Sequence, residues 1–379
     1  MKSKLPNVGT TIFTVMSKMA LEHNAINLSQ GYPDFECPKR LRELVAKHLY
    51  DGKNQYPPMA GIPSLRQEIA NKVNRHYQFD ADAETEITVT SGATEAIFDA
   101  VQASVRQGDE VIVFDPAYDS YEPAITLAGA RTVHLSLELP DYHIDWNRVE
   151  DAITEKTRLI IINTPNNPCG SLLSRDDMDE LAGLIRGKDI LVLSDEVYEH
   201  MVYDGQQHES VLSHPELCQK CFAIFSFGKT YHATGWKIAY CISSKSLTEE
   251  FRKVHQFVTF TTSSFVQYGI AEFMSECPEH AEELPLFYEK KRDTFCELVS
   301  DSRFTFTPSR GTYFQLLDYS EISDKPDTEF ANELTREKGV AAIPLAPFYE
   351  QPPDTRILRF CFCKGDSTLE QAAEILRSL

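Results

Sequence analysis

The chain carries the stretch Phe225-Ser-Phe-Gly-Lys-Thr-Tyr-His-Ala-Thr-Gly-Trp-Lys237, which overlaps the end of the apolar run Cys221-Phe-Ala-Ile-Phe225. An apolar run of this length predicts a buried strand, so Lys229 stands just past a strand end among small and hydroxyl residues. A lysine in such a place can be a point charge that binds phosphate, or an amine held in a dry site for imine chemistry. The function of the chain depends largely on which of these Lys229 is.

The first possibility is the phosphate-binding loop of a nucleotide triphosphatase. Gly228-Lys-Thr230 matches the end of the pattern G-x-x-x-x-G-K-[ST], but the first glycine of that pattern falls at Ala223. Asp195-Glu196 follows an apolar run, as do the acidic residues at a strand end of these enzymes. However, this acidic pair precedes the lysine, whereas the usual chain order places the phosphate loop first. The triphosphatase is therefore kept only as a remote alternative.

Composition and charge narrow the remaining classes. Lys and Arg number 37 against 57 Asp and Glu, so the formal net charge is −20. Nucleic acid or an anionic membrane surface requires clustered cations, which this balance disfavours. The sequence has no run of eighteen apolar residues and no apolar segment behind its first residues. These features predict a cytoplasmic protein with no nucleic-acid partner and no membrane partner.

Cysteine and histidine give no metal pattern. The nine cysteines are scattered, which predicts reduced core thiols rather than a disulfide framework. Cys218-Gln-Lys-Cys221 has the spacing of a metal or redox pair, but a zinc site needs two further ligands. The nearest candidates, His214 and Cys241, form no second spaced pair. We therefore expect no metal site, and no histidine is assigned a catalytic role.

Strands and helices alternate through the first two thirds of the sequence. Apolar runs predict strands at 86–90, 110–114, 158–162, 190–193 and 222–225. This alternation predicts a mostly parallel sheet covered by helices, with ligands bound at the strand ends. Residues 245–299 are typical of long helices, and the last 80 residues mix short strands with helices. The change in pattern predicts a second, smaller α+β domain.

Five motifs together resemble the class I and II aminotransferases of the fold-type-I pyridoxal-phosphate (PLP) enzymes, and within them the kynurenine and methionine aminotransferase branch. Besides the stretch around Lys229 they are Gln30-Gly-Tyr-Pro-Asp-Phe35, Asn166-Asn-Pro-Cys-Gly170, Ser194-Asp-Glu-Val-Tyr198 and Leu358-Arg-Phe-Cys-Phe362. They follow the order of the family from about residue 27 to 362. The resemblance implies a mostly parallel seven-stranded sheet with helices on both faces, plus a smaller α+β domain.

The implied division has three parts. An N-terminal arm covers 1–13, a large PLP-binding domain covers 38–280, and a small domain combines 14–37 with 281–379. The arm is polar and contains a proline and a glycine, so it is expected to be loose or held against another subunit.

The resemblance assigns the chemistry of PLP to a few side chains. Lys229 matches the lysine that forms the Schiff base and then carries the substrate Cα proton. Asp195 would pair with the pyridine nitrogen, unless it is only a helix N-cap. Tyr198 and Asn167 would donate to the phenolic oxygen.

The phosphate end of PLP would lie at the start of a helix, where free N–H groups favour a dianion. By resemblance, its ligands are Gly92, Ala93, Thr94, Ser226 and Lys237. Many relatives have arginine at position 237, and lysine keeps the charge but loses the bidentate fork. Tyr118 would stack on the ring, unless it is an ordinary core or turn tyrosine. Tyr56 corresponds to a tyrosine that reaches the phosphate from the neighbouring subunit, which implies a homodimer with shared active sites.

The substrate would be held by a second set of residues. Arg359 matches the arginine that binds the α-carboxylate, and its alternative is a buried salt bridge with an acid. Gly31 and Asn167 would complete the carboxylate site. The side-chain pocket is expected to contain Phe13, Tyr32 and Phe260, the last of these from the neighbouring subunit. These three aromatic residues could equally be ordinary core.

These assignments predict an aminotransferase that works by ping-pong half-reactions between an L-amino acid and a 2-oxo acid. Aromatic walls favour flat or polarizable side chains, and no second arginine matches a side-chain carboxylate site. Aspartate would then bury an unpaired charge. The expected order is methionine first, then phenylalanine, tyrosine, leucine, histidine or kynurenine. A PLP-dependent β-lyase acting on cysteine conjugates is the alternative, since the same carbanion can expel a β-leaving group.

Overall fold

Strands and helices alternate along the chain in this computed structural model, which describes residues 2–379. Within these residues the strands are β1 (Ile26–Asn27), β2 (Ile87–Thr90), β3 (Glu110–Asp115), β4 (Arg131–Ser136), β5 (Thr157–Asn163), β6 (Leu191–Asp195), β7 (Cys221–Ser226), β8 (Ala239–Ser243), β9 (Phe314–Asp318), β10 (Val340–Ala341), β11 (Ile343–Pro344) and β12 (Ile357–Cys361). The α-helices are α1 (Ile12–Glu22), α2 (Lys39–Tyr50), α3 (Pro63–Tyr77), α4 (Ala93–Ser104), α5 (Tyr121–Leu127), α6 (Trp146–Ala152), α7 (Arg175–Ile185), α8 (Phe227–Thr230), α9 (Lys245–Val258), α10 (Ser264–Glu276), α11 (Glu279–Val299), α12 (Asp327–Glu333) and α13 (Asp366–Arg377).

The main sheet has seven strands in the order β2-β8-β7-β6-β5-β3-β4. Neighbouring strands are parallel except at β8, which runs antiparallel to both β2 and β7. Successive side chains of β3 point to opposite faces: Ile112 and Phe114 join one apolar cluster, and Val111 and Val113 join the other. Helices cover both faces, which is why the central strands are almost wholly apolar. The predicted fold class is confirmed.

Two strands of this sheet lie outside the apolar runs that predict strands. β4 is an edge strand whose residues are exposed or half-buried, so its pattern lacks the continuous apolar run of a central strand. β8 is fully buried but contains small and polar residues among its apolar ones. A search for continuous apolar runs therefore misses β4 because of its edge position and β8 because of its mixed composition.

A smaller assembly packs beside the main sheet. Strands β11, β12 and β9 form an antiparallel sheet, and β1 pairs with β10 in a short parallel ladder. Met16, Met19 and Leu28 share an apolar cluster with residues of α11, α12 and α13. This packing of an early segment against the end of the chain supports the proposed small domain of 14–37 and 281–379.

The N-terminal segment becomes helical earlier than the sequence predicts. α1 begins at Ile12, inside the expected arm, because the Thr11 hydroxyl accepts a hydrogen bond from the Thr14 amide at 3.3 Å and caps the helix. Met16 and Met19 lie on its buried face. The helix therefore fixes Phe13 within a regular element rather than in a loose arm.

The helices of residues 2–379 include none with the length and apolar content that crossing a bilayer requires. All nine cysteines carry free thiols. Cys218 and Cys221 are buried, and they pack at the edge of a 3-10 turn and at the start of β7.

Candidate active site

A cavity of about 310 Å³ lies at the carboxyl ends of β5, β6 and β7, next to the start of α4. The carboxyl ends of neighbouring parallel strands meet at one edge of a sheet, so residues far apart in the sequence come together there. Predicted site residues that line the cavity are Phe13, Gly31, Gly92, Ala93, Thr94, Tyr118, Asn167, Asp195, Tyr198, Ser226, Lys229, Lys237 and Arg359.

Lys229 lies in the short helix α8, which directly follows β7. Its Nζ donates to the Tyr313 hydroxyl at 2.8 Å and to the Gly31 carbonyl at 3.2 Å. Burial lowers the pKa of Lys229 to about 8. A minor fraction of the amine is therefore neutral near neutral pH, and Lys229 forms no salt bridge with the other residues of 2–379.

Asp195 ends β6 and is 3% exposed. One carboxylate oxygen accepts from the Tyr121 hydroxyl at 2.7 Å, and the other accepts from the Val197 amide at 3.4 Å. Burial raises the pKa of Asp195 to about 6. Among residues 2–379 it forms no salt bridge, so the carboxylate has hydrogen bonds but no cation of its own. Such a group is stabilised by a cationic or N–H-donating ligand in the cavity.

A cup for an anion lies at the start of α4. Gly92 is the N-cap residue with φ 89°, a conformation that L side chains rarely adopt. A Cβ on Gly92 would stand 3.1 Å from the Nζ and Cε atoms of Lys237. The space beside Gly92 is open because glycine has no side chain to fill it, and the Lys237 ammonium faces this space. The first N–H groups of a helix, together with this cation, suit a phosphate.

Arg359 lies within β12 and is fully buried. It donates to the Asn167 side-chain oxygen at 2.7 Å and to the Ser29 carbonyl at 2.8 Å, while its Nε has no partner. Its guanidinium carbon stands 3.9 Å from the centre of the Phe314 ring. Residues 2–379 contain no acid that forms a salt bridge with it. The alternative of a buried salt bridge is therefore wrong, and the cation is free to bind a carboxylate.

The remaining predicted residues of the cavity stand around these groups. The Asn167 backbone amide donates to the Asn163 side-chain oxygen at 2.8 Å, and the Asn167 side-chain oxygen accepts from Arg359. Tyr198 is buried and packs edge-on against Tyr313, with ring centres 5.2 Å apart. Burial raises the pKa of Tyr118 to about 12, so its hydroxyl is protonated at neutral pH.

Three predicted residues do not line the cavity of this chain. Tyr56 is 85% exposed, Tyr32 is 46% exposed and Phe260 is 41% exposed. The rings of Tyr56 and Phe260 meet edge to face with centres 5.7 Å apart. Two of the three were expected to act from a neighbouring subunit, and their exposure is compatible with that role. The alternative of ordinary core does not apply to Tyr32 and Phe260, whereas Phe13 both lines the cavity and packs against an apolar cluster.

Several site residues were not predicted. Tyr121 and Tyr313 hold Asp195 and Lys229, and Phe314 stacks on Arg359. Asn163 ends β5, donates to the Asp195 carbonyl at 2.8 Å and accepts from the Asn167 backbone amide. The strand-end position of Asn163 is a signal that could have identified it. The two tyrosines and Phe314 carry no comparable signal, because aromatic residues of this kind are common in any core.

The chain is similar over its whole length to known aminotransferases. The profile of the family Aminotransferase class I and II matches residues 23–376. A methionine aminotransferase of Escherichia coli is 49% identical over 378 residues, which cover 100% of this chain and 98% of that protein. Kynurenine–oxoglutarate transaminase 3 of Rattus norvegicus is 33% identical, with 99% of this chain and 89% of that protein covered.

Solved structures give the same relationship. An Escherichia coli protein for which a methionine aminotransferase function was identified superposes with a TM-score of 0.98 at 48% identity, covering 100% of this chain and 99% of that chain. N-Succinyldiaminopimelate aminotransferase from Mycobacterium tuberculosis gives a TM-score of 0.96 at 34% identity, again covering 100% and 99%.

Proposed function

The chain belongs to the class I and II aminotransferases, and we propose that it moves the amino group of a neutral L-amino acid to a 2-oxo acid with PLP held in the cavity around Lys229. The observation that carries this proposal is the pairing of two unsatisfied charges in one cavity. Arg359 is a buried cation without an acid, and Asp195 is a buried acid without a cation. A substrate carboxylate and a protonated ring nitrogen would supply the missing partners.

The residues present fit PLP. The cup at Gly92 offers helix N–H groups and the Lys237 ammonium to a phosphate, with the hydroxyls of Thr94 and Ser226 on the same cavity wall. Asp195 offers a buried carboxylate to the pyridine nitrogen, at the end of a strand in the same cavity. The donor set thus contains one group for each polar end of the cofactor. Bound PLP supplies an electron sink that stabilises negative charge at the substrate Cα.

Lys229 performs the proton transfer in this proposal. Its Nζ, with a pKa near 8, is neutral often enough at physiological pH to take the proton from the substrate Cα and return it. The Tyr313 hydroxyl and the Gly31 carbonyl hold that nitrogen at the cavity wall. Burial excludes water, which lowers the pKa of the ammonium and protects the transferred proton from exchange.

Arg359 fixes the orientation of both substrates, because an amino acid and its 2-oxo acid share the α-carboxylate. The Asn167 side-chain oxygen and the Ser29 carbonyl each hold one terminal nitrogen of the guanidinium, and Nε has no partner. A carboxylate that binds here satisfies a donor that is otherwise buried without a partner. One residue therefore serves both half-reactions.

We propose methionine as the first substrate, followed by aromatic amino acids, leucine, histidine or kynurenine. Phe13 lines the cavity, and its ring also faces Arg359, with the guanidinium carbon 5.2 Å from the ring centre. Sulfur–aromatic contacts contribute about 0.3–1.5 kcal/mol to a thioether. The names of two relatives, a methionine aminotransferase and a kynurenine–oxoglutarate transaminase, support methionine and kynurenine as substrates.

We further propose a homodimer in which each subunit completes the other's site. Tyr56 and Phe260 are large aromatic residues that one chain leaves exposed. A second copy would cover them and place them beside the phosphate and the substrate side chain. The nine free thiols support a reducing compartment, and the cytoplasm is the proposed location.

The test of the proposed function has two parts. The purified protein is treated with sodium borohydride and digested, and mass spectrometry is expected to find the reduced cofactor attached to the peptide that contains Lys229. A panel of amino acids is then assayed against one 2-oxo acid. The highest kcat/KM is expected for methionine or an aromatic amino acid. A preference for aspartate or glutamate would contradict the proposed specificity, and an unmodified Lys229 would contradict the cofactor assignment.

A further inference from the structure

Three ionisable side chains meet between helices α4 and α9, away from the groups that face the cavity. Glu95 and Asp99 lie one turn apart on α4, and His255 lies in the last turn of α9. Their ligand atoms all lie within 4.8 Å of one another. The side chains of Asp99 and His255 are completely buried, and that of Glu95 is 7% exposed. The cluster is therefore sealed from solvent on nearly every side.

The hydrogen bonds of His255 determine which of its nitrogens carries a proton. Nε2 lies 3.0 Å from the Met59 carbonyl, which can only accept, so Nε2 is the donor. Nδ1 lies 2.7 Å from a Glu95 oxygen and 3.5 Å from an Asp99 oxygen. A lone pair on Nδ1 would face two carboxylates and repel both. A positive charge must therefore stand among these three groups, either a proton or a metal cation.

A proton leaves part of the cluster unsatisfied. Protonated His255 would donate a hydrogen bond to Glu95, yet neither oxygen of Asp99 has a hydrogen-bond partner. The sum of the three charges would then be negative in a buried place, where an unpaired carboxylate is costly. A divalent cation would balance both carboxylates and give Asp99 a ligand bond.

We propose that Glu95, Asp99 and His255 bind a divalent cation of the zinc or manganese type, which ties α4 to α9. His255 Nδ1, one Glu95 oxygen and the two unpartnered Asp99 oxygens supply the four donor atoms that a structural site of this kind needs. The bond from Nε2 to the Met59 carbonyl is the outer contact that orients a metal-binding histidine. Donor atoms around a metal at about 2.0–2.2 Å lie about 3 Å or more apart, so Glu95 Oε1 and His255 Nδ1 separate slightly on binding.

The site lies directly behind the anion cup. The second carboxylate oxygen of Glu95 accepts a hydrogen bond from the Ser91 amide, one residue before Gly92. A metal at Glu95 would hold the first turn of α4 in place without contacting the cavity. The proposed role is therefore structural, and it does not depend on the reaction that the cavity supports.

The first experiment measures metal content. The wild-type holoenzyme is produced with zinc and manganese salts in the medium, dialysed against metal-free buffer and analysed by mass spectrometry of its metals. About one equivalent of zinc or manganese per chain is expected in the wild type. The metal content of the Asp99→Asn variant should be at least tenfold lower. His48→Gln is the matched control, because His48 contacts Glu272 at 2.7 Å without a second carboxylate. This variant should keep the full metal content.

The second experiment needs no variant. The wild-type holoenzyme is stripped with a chelator, and its Tm is measured with and without ZnCl₂ or MnCl₂, using MgCl₂ as the comparison. A ligand that binds only the folded state raises Tm, so an increase of a few degrees is expected with zinc or manganese. A wild-type protein that is purified without metal, and whose Tm responds to neither ion, overturns the proposal and leaves a proton on His255.

Discussion

The cofactor half of the site and its side-chain half differ in how far one chain builds them. The cofactor half consists of the cup at Gly92, Asp195 and Lys229, and its carboxylate is 3% exposed. The side-chain half was expected from Phe13, Tyr32 and Phe260, and Tyr56 was expected to reach the phosphate from the neighbouring subunit. Only Phe13 lines the cavity, and Tyr56 is 85% exposed. One chain thus brings together Lys229, Asp195 and the cup at Gly92, but only one of the three aromatic residues expected around the substrate side chain.

This difference follows from where the two halves come from. Strand ends of one sheet are brought together by the fold itself, so Asp195 and Lys229 converge without help from another molecule. Tyr56 and Phe260 lie on surface segments, and exposed aromatic residues that meet each other are typical of an interaction surface. The comparison predicts that changes in the cofactor half act within one subunit, and that changes at Tyr56 act on the neighbouring one.

The largest effect is expected from Lys229→Ala. The variant loses the covalent step and the proton transfer together, so turnover should fall by more than the roughly 10²–10⁴-fold of a proton transfer alone. Steady-state and single-turnover assays with methionine measure the fall. Lys237→Gln is the control, since it removes a cation of the anion cup but should retain turnover at saturating PLP. Near-normal turnover of Lys229→Ala would remove Lys229 from its proposed role.

A smaller effect is expected from Arg359→Ala. Loss of a charge-assisted hydrogen-bonded pair costs about 1.5–3 kcal/mol, which corresponds to roughly 10–150-fold in binding. The KM values for the amino acid and for the 2-oxo acid should rise together, while the absorbance of the bound cofactor stays the same. Arg359→Lys keeps the charge but loses the bidentate fork, so its KM values should lie between those of the wild type and of Arg359→Ala. Unchanged KM values for both substrates would show that another group binds the carboxylate.

Asp195→Asn is expected to stabilise the cofactor-free protein. Burial raises the pKa of Asp195 from 3.8 to about 6, so between these pH values the folded state holds a proton that the unfolded state has released. Stability therefore falls as pH rises through this window, and the cost is fully present above pH 6. The variant should raise Tm by a few degrees at pH 8 and by little at pH 4. An equal shift at both pH values would contradict this reading.

The sequence predicts the site residues at strand ends better than those whose roles depend on packing between distant segments. Apolar runs identify the central strands, and the polar residues that follow them, such as Asp195 and Ser226, lie where the site forms. The sequence contains no local signal for Tyr121 or Tyr313, because their roles depend on packing between distant segments. The expected arm of 1–13 extends past the start of α1 at Ile12, because a single threonine at position 11 does not by itself identify a helix cap.

The most direct test of the division between the two halves is a mixture of two inactive variants. Lys229→Ala lacks the amine but carries Tyr56, and Tyr56→Asp keeps Lys229 but would place a negative charge beside the neighbour's phosphate. The two are unfolded together, refolded and assayed, and mass spectrometry measures the fraction of hybrid dimers. In a random mixture half of the dimers are hybrids with one intact site each, so about a quarter of the wild-type activity should return. Hybrid dimers with no activity would show that Tyr56 serves its own chain and would contradict the account.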